Sequence, residues 1–548
     1  MKMPHVRTPS SLPSNIIWSL IGNGIYILCQ WGTLVAIARL TNPAALGMFG
    51  LALALTAPIV LLLDLQLRVA YVTDVAESHP FADYLIIKSS SISLILGSSM
   101  LVGFLMTSDP LARLVIFGVG LSKAIESGDD LVNGFFQKAE RFDLLAKSRI
   151  AKGVAALVAA AGILFWTRNV AAASFTIALV WLVTAAFVAV LWAPSFVRSC
   201  GTLRNQVNLR RLCGLVYSTF PLGVAQALIT FQASLPRIVL QRVRGFEEVG
   251  VYTAISSLLV AGSAVMTAVG FAVMPRMATS FALNRHEEIS RMRTRLVIGA
   301  AAVGSVSVLI AWTAGSRILA LLFGAGFISG AHALIVLMVA MTVTFIASIN
   351  DFILVAQRRF SSQIAIHIMS TAVSALGCVL LISPYGLIGS AMAVLLGAFV
   401  RVLANSVLLK RSVECHRGAP PLHPMLPSLQ VSADGRSRPE ERGAPLFLRN
   451  RGCASSEVRY GIASENKNSA ECPSSSCRTL RPQTDGASRD AALHDSLAKP
   501  LSRKERKARR GHDGNYKYRG SAPELNLITT TREVRTTGEI QIHATPSK

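Results

Sequence analysis

Basic side chains within apolar segments are the residues of this 548-residue chain best suited to binding chemistry. A charge at the centre of a bilayer costs at least about 2.5–3.5 kcal/mol, so an arginine or lysine there is a functional candidate. Arg237 is the strongest candidate, because it follows Pro236 inside an apolar block and a proline kink suits a cavity-lining helix. Snorkelling to the membrane interface is its alternative. The other basic candidates for an anionic ligand are Arg39, Arg68, Lys123 and Arg401. For Arg39 the spacing favours an interfacial anchor.

Three carboxylates in apolar segments are candidates for coupling an ion to transport: Asp64, Glu126 and Asp130. Lys123, Glu126 and Asp130 follow one another at i, i+3 and i+7, which predicts a charged stripe on one helix face. The stripe either gates a mouth or carries a proton, or it is an internally paired face at a helix end. Asp64 and Arg68 stand four residues apart, a spacing that favours mutual neutralisation on one helix.

Amides within the apolar segments are candidates for bonding sugar hydroxyls. Gln30 and Gln226 are expected to line a cavity, and Gln232 has a similar position. Hydrogen bonding between neighbouring helices is an equal alternative for all three. Asp351 lies about one turn from the end of its apolar segment, so we expect a solvated helix end there.

Motifs for enzymatic chemistry are not found in the sequence. It has no glycine-rich loop ending in Lys-Ser or Lys-Thr, no paired-histidine metal helix and no nucleophile elbow. Its eight cysteines lack zinc-ligand spacing. We therefore expect a protein that is not an enzyme and uses no metal or other cofactor.

The net charge of +24 first suggests a nucleic-acid partner, but the composition excludes that interpretation. Hydrophobic residues make up 52% of the chain and charged residues only 15%, whereas soluble domains average about 25% charged residues. The chain is therefore expected to be solvated largely by lipid, with no nucleic-acid partner. The deficit of charge is confined to residues 1–409, and residues 410–548 contain no long apolar run.

The charged candidates are held by apolar segments that are long enough to cross a bilayer. A hydrocarbon core about 30 Å thick requires about 20 apolar residues per helix, and strands would leave backbone groups unpaired. The sequence predicts an all-α integral membrane protein with about twelve transmembrane helices. They are expected at 15–39, 46–67, 85–107, 111–134, 150–167, 170–192, 213–238, 249–274, 296–314, 331–356, 361–382 and 386–409.

The distribution of basic residues predicts the orientation of these helices. With a cytosolic N-terminus, the cytosolic segments carry 20 Lys+Arg and the opposite segments carry seven. Because basic residues concentrate in cytosolic loops, we expect both termini in the cytosol. Basic residues near a span end are counted with the adjoining segment, Lys88 and Lys152 with cytosolic segments and Arg237 with an opposite one. Lys123 and Arg401 are then the basic residues assigned to neither side.

An internal echo divides the chain at an offset of 203 residues. The run ARLTNPAALGMFGLA from Ala38 pairs with QRVRGFEEVGVYTAI from Gln241, so that Arg39, Gly47 and Phe49 align with Arg242, Gly250 and Tyr252. The echo lies between the first and second predicted spans of each half. It predicts two six-helix lobes, 1–205 and 206–410, related by an axis along the membrane normal.

Five motifs in a fixed order make residues 15–410 resemble the polysaccharide flippases of the O-antigen and exopolysaccharide type. This family belongs to the multidrug/oligosaccharidyl-lipid/polysaccharide exporter superfamily. The motifs are IARLTNPAALGMFGLALALTAP (Ile37–Pro58), LPRIVLQRVRGFEEVGVYTAISSLL (Leu235–Leu259), MPRMA (Met274–Ala278), LFGAGF (Leu322–Phe327) and PYGLIGSAMA (Pro384–Ala393).

The resemblance implies a transporter of the bacterial inner membrane, with two lobes around a central cavity. Its cargo would be an undecaprenyl-diphosphate-linked oligosaccharide, moved from the cytosolic to the periplasmic leaflet by alternating access. Membrane lipids and other polysaccharide assembly proteins would be its partners. A cation-coupled small-molecule exporter of the same superfamily is the alternative, and a membrane glycan polymerase is a more distant one.

Residues 411–548 have a composition unlike the rest of the chain. They mix Arg, Ser, Pro, Gly and Ala without a heptad, a strand pattern or a repeat, so they cannot bury a core and are expected to be a disordered, basic cytosolic tail. Its basic cluster LSRKERKARR (Leu501–Arg510) suits anionic lipid headgroups. A solvated extension without a task and an out-of-frame translation after Lys410 are the alternatives.

Overall fold

The described part of the protein is helical throughout. The computed structural model describes residues 12–74, 78–200, 208–283, 285–357 and 360–417, and these contain no strand. The predicted tail lies outside the described residues, except that 411–417 continue the last helix. The helices are α1 (Leu12–Leu40), α2 (Pro43–Leu63), α3 (Leu67–Thr73), α4 (Phe81–Met106), α5 (Pro110–Lys138), α6 (Phe142–Thr167), α7 (Val170–Cys200), α8 (Leu209–Arg244), α9 (Phe246–Ala282), α10 (His286–Leu322), α11 (Ala331–Ala356) and α12 (Phe360–Arg417). A short 3-10 helix, Ala325–Gly330, precedes α11.

Twelve membrane-crossing helices can be counted among the described residues. Nine helical segments are long and apolar enough to cross a membrane. The last of them includes Gly386, whose backbone angles of φ 53° and ψ −123° separate α12 into two helices. Helix α5 adds another crossing although Lys123, Glu126, Asp129 and Asp130 reduce its hydropathy, and α9 adds the twelfth with its 37 residues. The predicted all-α membrane fold is confirmed.

Short polar residues and prolines fix where several helices begin. Asn42 accepts a hydrogen bond from the amide of Ala45 and is followed by Pro43 at the first helical position. Asp109 accepts from the amide of Leu111 and is likewise followed by a proline, Pro110. Both are N-cap signals followed by a residue whose missing N–H costs nothing there. The connections between helices are therefore short, and consecutive helices can be neighbours in the bundle.

Helix α2 ends earlier than its apolar run suggests. Its C-terminal residue is Leu63, and Leu65 and Gln66 both have φ of 51°, in the left-handed region. A left-handed pair cannot continue a right-handed helix. Helix α3 starts afresh at Leu67 and packs on α5 and α4. Residues on either side of this break therefore no longer share a helical face.

The two repeat copies meet where α2 packs against α8 and α9. A Cβ added to Gly47 would lie 1.9 Å from the carbonyl oxygen of Phe246, and one added to Gly250 would lie 1.8 Å from that of Pro43. These pairs are related by the same offset of 203 residues as the sequence echo. Only glycine permits such an approach of two helix backbones. The division into lobes at residue 205 stays a prediction, but this contact has the symmetry of the repeat.

A second pair of contacts follows the same symmetry. Arg39 donates from its guanidinium to the carbonyl oxygens of Ala320, Leu321 and Leu322 in the last turn of α10. Its repeat partner Arg242 contacts Sδ of Met106, the last residue of α4, at 3.4 Å. Arg39 thus stabilises a helix end of the other copy, and its role as an interfacial anchor stays a prediction.

We expect Gly47→Ala to lower the thermal stability of the purified protein. The new methyl group would overlap the Phe246 carbonyl, and overpacking of this kind costs roughly 1–3 kcal/mol. Gly97→Ala in α4 is the matched control, since its Cβ would meet nothing within 4 Å. The measurement is the unfolding midpoint of both variants in the same detergent. Equal midpoints would contradict the close contact of α2 and α9.

Candidate functional site

A cavity of about 290 Å³ lies between the two repeat copies. Helices α1, α2, α5, α6 and α7 form one side of it, and α8 and α9 form the other. Most of its wall is apolar or aromatic, with Trp31, Phe49, Ile177 and Trp181 among the lining residues. The basic residues in its wall are Lys123 from the first copy and Arg237 from the second. Because it joins both copies, the cavity is the candidate binding site.

Arg237 supplies an unneutralised charge to this cavity. It follows Pro236, a buried proline inside α8 that removes one backbone hydrogen bond. Its Nη2 donates to Oγ of Ser256 on α9 at 2.8 Å, and its buried Nε has no hydrogen-bond partner. Among the described residues no carboxylate forms an ion pair with Arg237. Such an arginine is suited to hold an anion with several oxygens.

Lys123 enters the same cavity already paired. Its Nζ lies 2.7 Å from Oε2 of Glu126, one turn further along α5. The hydroxyl of Tyr26 on α1 donates to the other oxygen of Glu126. Lys123 also stands 5.5 Å from the ring centroid of Trp181, at cation–π distance. Its positive charge is thus shared between a carboxylate and an aromatic face, and less of it is available to a ligand.

Helix α1 contributes polar groups to the cavity wall. Tyr26, Gln30 and Thr33 recur at helical spacing and all line the cavity. Of the predicted site residues, the structure therefore brings Gln30, Lys123 and Arg237 together around the cavity.

Gln226 is exposed on α8 and is not among the lining residues. Gln232 bonds Ser370 and Ser374 of α12 across the helix interface, which is the interhelical alternative.

The predicted pairing of Asp64 with Arg68 is wrong. The helix breaks between them at Leu65 and Gln66, so the spacing of four no longer places them on one face. Asp64 instead accepts from Nζ of Lys88 on α4 and from Oγ of Ser127 on α5, the latter at 2.6 Å. Arg68 pairs with Asp130 at 2.8 Å and donates to Gln137 at 2.8 Å.

Lys88 and Lys152 were expected in cytosolic segments, and the structure corrects their environment. Lys88 is 1% exposed within α4, and Lys152 is 4% exposed within α6. Nζ of Lys152 lies 2.7 Å from Oδ2 of Asp129 on α5. Both lysines tolerate burial because a neighbouring helix supplies a carboxylate. The predicted stripe on α5 is thus largely a paired face, with each acidic residue held by a base.

Arg401 and Asp351 form a separate buried pair in the second copy. Nη2 of Arg401 lies 3.2 Å from Oδ2 of Asp351 and donates to Oγ of Ser348 at 3.0 Å. Asn405 donates to the other Asp351 oxygen at 2.8 Å. Asp351 is buried, so the expected solvated helix end is wrong. Among the described residues, neither Arg401 nor Arg68 nor Arg39 lines the cavity.

Comparison with known proteins bears on the first half of the chain most directly. Residues 12–281 match the family described as Polysaccharide biosynthesis protein. A curated relative from Staphylococcus aureus, the capsular polysaccharide biosynthesis protein CapF, is 23% identical over 402 residues, which are 72% of this chain and 99% of CapF. The resemblance expected from the sequence motifs is confirmed.

Solved structures resemble nearly three quarters of the chain. An inward-facing multidrug resistance MATE family transporter of the MOP superfamily has a TM-score of 0.61 at 15% identity, covering 73% of this chain and 99% of that one. The lipid II flippase MurJ, in an inward closed conformation, has a TM-score of 0.56 at 10% identity, covering 72% and 87%. These likenesses show that this multi-pass membrane protein shares its fold with both structures.

Several residues of the candidate site were missed from the sequence. Tyr26, Trp181 and Thr253 line the cavity. Ser256 on α9 accepts a hydrogen bond from Arg237. The signal in the sequence was weak: Trp181 is one of several aromatic residues in its apolar segment, and Thr253 has Gly50 as its repeat partner. Side chains of these types are also common in ordinary helix packing, so spacing alone could not select them.

Asp64→Asn tests the buried pair with Lys88. The variant leaves an ammonium group in the core without its carboxylate, and we expect it to lower the free energy of unfolding by about 3–5 kcal/mol. Glu287→Gln is the control, because Glu287 and Arg291 form an exposed pair on α10 and its loss should have no measurable effect. The measurement is unfolding in mixed detergent micelles. Equal stability of the two variants would contradict the assigned pairing.

Proposed function

We propose that this protein moves an undecaprenyl-diphosphate-linked oligosaccharide from the cytosolic to the periplasmic leaflet of the bacterial inner membrane. Two lobes, 1–205 and 206–410, alternate access to the cavity between them, and both termini face the cytosol. Membrane lipids and other polysaccharide assembly proteins are its partners. The description of CapF as a capsular polysaccharide biosynthesis protein and of MurJ as a lipid II flippase supports this cargo class.

Arg237 is the observation that carries the proposal. A diphosphate leaving water needs charge-assisted donors to replace its hydration. In the cavity, Arg237 has a free Nε and no carboxylate partner in the described part of the chain, whereas Lys123 shares its charge with Glu126. The cavity is therefore electropositive on the side of the second copy. This polarity suits an anionic head group and opposes the entry of a cationic drug.

The size of the cavity supports alternating access. Its volume of about 290 Å³ is at the lower limit of small-molecule pockets, which span about 300–1,000 Å³. The space accommodates a charged head group, and a longer glycan requires the two copies to separate on one side. The lipid tail stays in the bilayer while the head group crosses, so no apolar surface of the tail is exposed to water.

The carboxylates predicted to couple an ion remain predictions. Asp64, Glu126 and Asp130 each have a basic partner in the structure. An ion could compete for these carboxylates only by displacing that partner. The cation-coupled exporter, which would use such a carboxylate, consequently gains no support from their geometry.

Arg237→Ala should stall export of the glycan. The loss of a charge-assisted hydrogen bond, about 1.5–3 kcal/mol, predicts transport reduced by one to two orders of magnitude, with Arg237→Lys retaining part of it. Arg210→Ala is the matched control, because Arg210 is an exposed arginine at the start of the same helix. The measurement is surface glycan together with lipid-linked repeat units that remain on the cytosolic leaflet.

Three results would redirect the proposal. Unchanged surface glycan at normal expression of Arg237→Ala would defeat it. Normal glycan together with altered drug susceptibility in a deletion strain would favour the small-molecule exporter. Glycan of altered chain length without accumulation of lipid-linked intermediates would favour a polymerase.

A further inference from the structure

Three buried polar groups in the cavity wall lack hydrogen-bond partners within the described part of the protein. They are Nε1 of Trp181, Nε of Arg237 and Oγ1 of Thr253. A buried donor without an acceptor costs about 1–3 kcal/mol, and native proteins rarely retain one without a reason. Three such groups around one cavity indicate a ligand that supplies acceptors to them.

The chemistry of these groups restricts the ligand. The indole N–H and the guanidinium Nε–H are donors only, and the threonine hydroxyl both donates and accepts. A ligand that satisfies the two nitrogens must therefore present acceptor oxygens to both. The positive charge of Arg237, which has no carboxylate partner in the described part of the chain, disfavours a cation in the same space. An oxyanion fits both requirements.

The donors stand on both sides of the cavity. Trp181 belongs to α7 of the first repeat copy, whereas Arg237 and Thr253 belong to α8 and α9 of the second. A ligand with more than one acceptor group suits donors on two sides, and a diphosphate carries two phosphoryl groups.

The indole of Trp181 is held in place before any ligand arrives. It is 5% exposed, and the ammonium groups of Lys123 and Lys152 lie 5.5 and 5.2 Å from its ring centroid. The ring of Tyr26 packs at 6.5 Å. A donor fixed by its surroundings loses little entropy on binding. Trp181 is thereby preorganised to donate.

We infer that Trp181 is a cargo-binding residue whose N–H contacts one phosphoryl group of a diphosphate while Arg237 and Thr253 hold the other. The inference rests on the proposed function and names the feature of the cargo that the cavity distinguishes. The bound diphosphate joins the two repeat copies, so it favours the diphosphate form of the lipid carrier over the monophosphate.

The test is the affinity of the purified full chain in nanodiscs for undecaprenyl diphosphate and for undecaprenyl monophosphate. The wild type should prefer the diphosphate. Trp181→Phe keeps an aromatic ring but loses the N–H together with part of the indole surface, so it should weaken diphosphate binding about tenfold and leave monophosphate binding unchanged. Trp166→Phe is the control, because Trp166 is an exposed tryptophan on α6. It should match the wild type.

Thr253→Val provides a second variant of nearly the same shape. It should weaken the binding of both lipids, since the hydroxyl belongs to the Arg237 side of the cavity. If Trp181→Phe fails to fold, as judged by its unfolding midpoint, the inference is tested by Thr253→Val and by the preference of the wild type. A wild type that binds the two lipids equally, or binds neither, overturns the inference.

The outcomes separate this inference from the proposed function. Export that depends on Arg237, combined with wild-type selectivity in Trp181→Phe, overturns the role of Trp181 and leaves the proposed function intact. If Trp181→Phe abolishes selective diphosphate binding while Arg237→Ala exports normally, the role of Trp181 stands and the proposed function is overturned. Equal weakening of both lipids by Trp181→Phe indicates a structural role and also overturns the inference.

Discussion

Gly47 and Gly250 allow the backbones of α2 and α9 to touch, and the arrangement of the cavity depends on that contact. A side chain at either position would overlap a carbonyl oxygen of the opposite helix. The contact brings α8 and α9 against the helices of the first copy. As a result Arg237 and Thr253 face Lys123 and Trp181 across one cavity. The same contact has the symmetry of the internal repeat.

Pairing of charges determines which basic residue remains available in the cavity. Buried lysines at positions 88 and 152 have carboxylate partners from neighbouring helices, and Arg401 has Asp351. A buried charge is stable only when it is paired or well hydrogen-bonded. Arg237 departs from this pattern within the described residues, because it donates to a serine hydroxyl and its buried Nε has no hydrogen-bond partner. A buried arginine without a carboxylate suggests that a ligand supplies the negative charge.

The sequence was sufficient to locate the helices and insufficient to identify which side chains pair between them. The hydrocarbon thickness sets a minimum length for each span, so the apolar runs located all twelve helices. The pairing of Asp64 with Arg68 failed because spacing of four residues assumes a continuous helix, and the left-handed residues Leu65 and Gln66 interrupt it. Burial of Lys88 and the position of Trp181 depend on contacts between distant segments, which periodicity along one segment does not encode.

Transport by the purified protein in liposomes tests the central claim, that an anionic cargo passes through the cavity between the two copies. One oligosaccharide is attached either to undecaprenyl diphosphate or to a neutral polyprenyl carrier, and its appearance in the opposite leaflet is followed. The account predicts that the protein accelerates movement of the diphosphate-linked form and leaves the neutral form at the protein-free rate. Equal acceleration of both forms would contradict it.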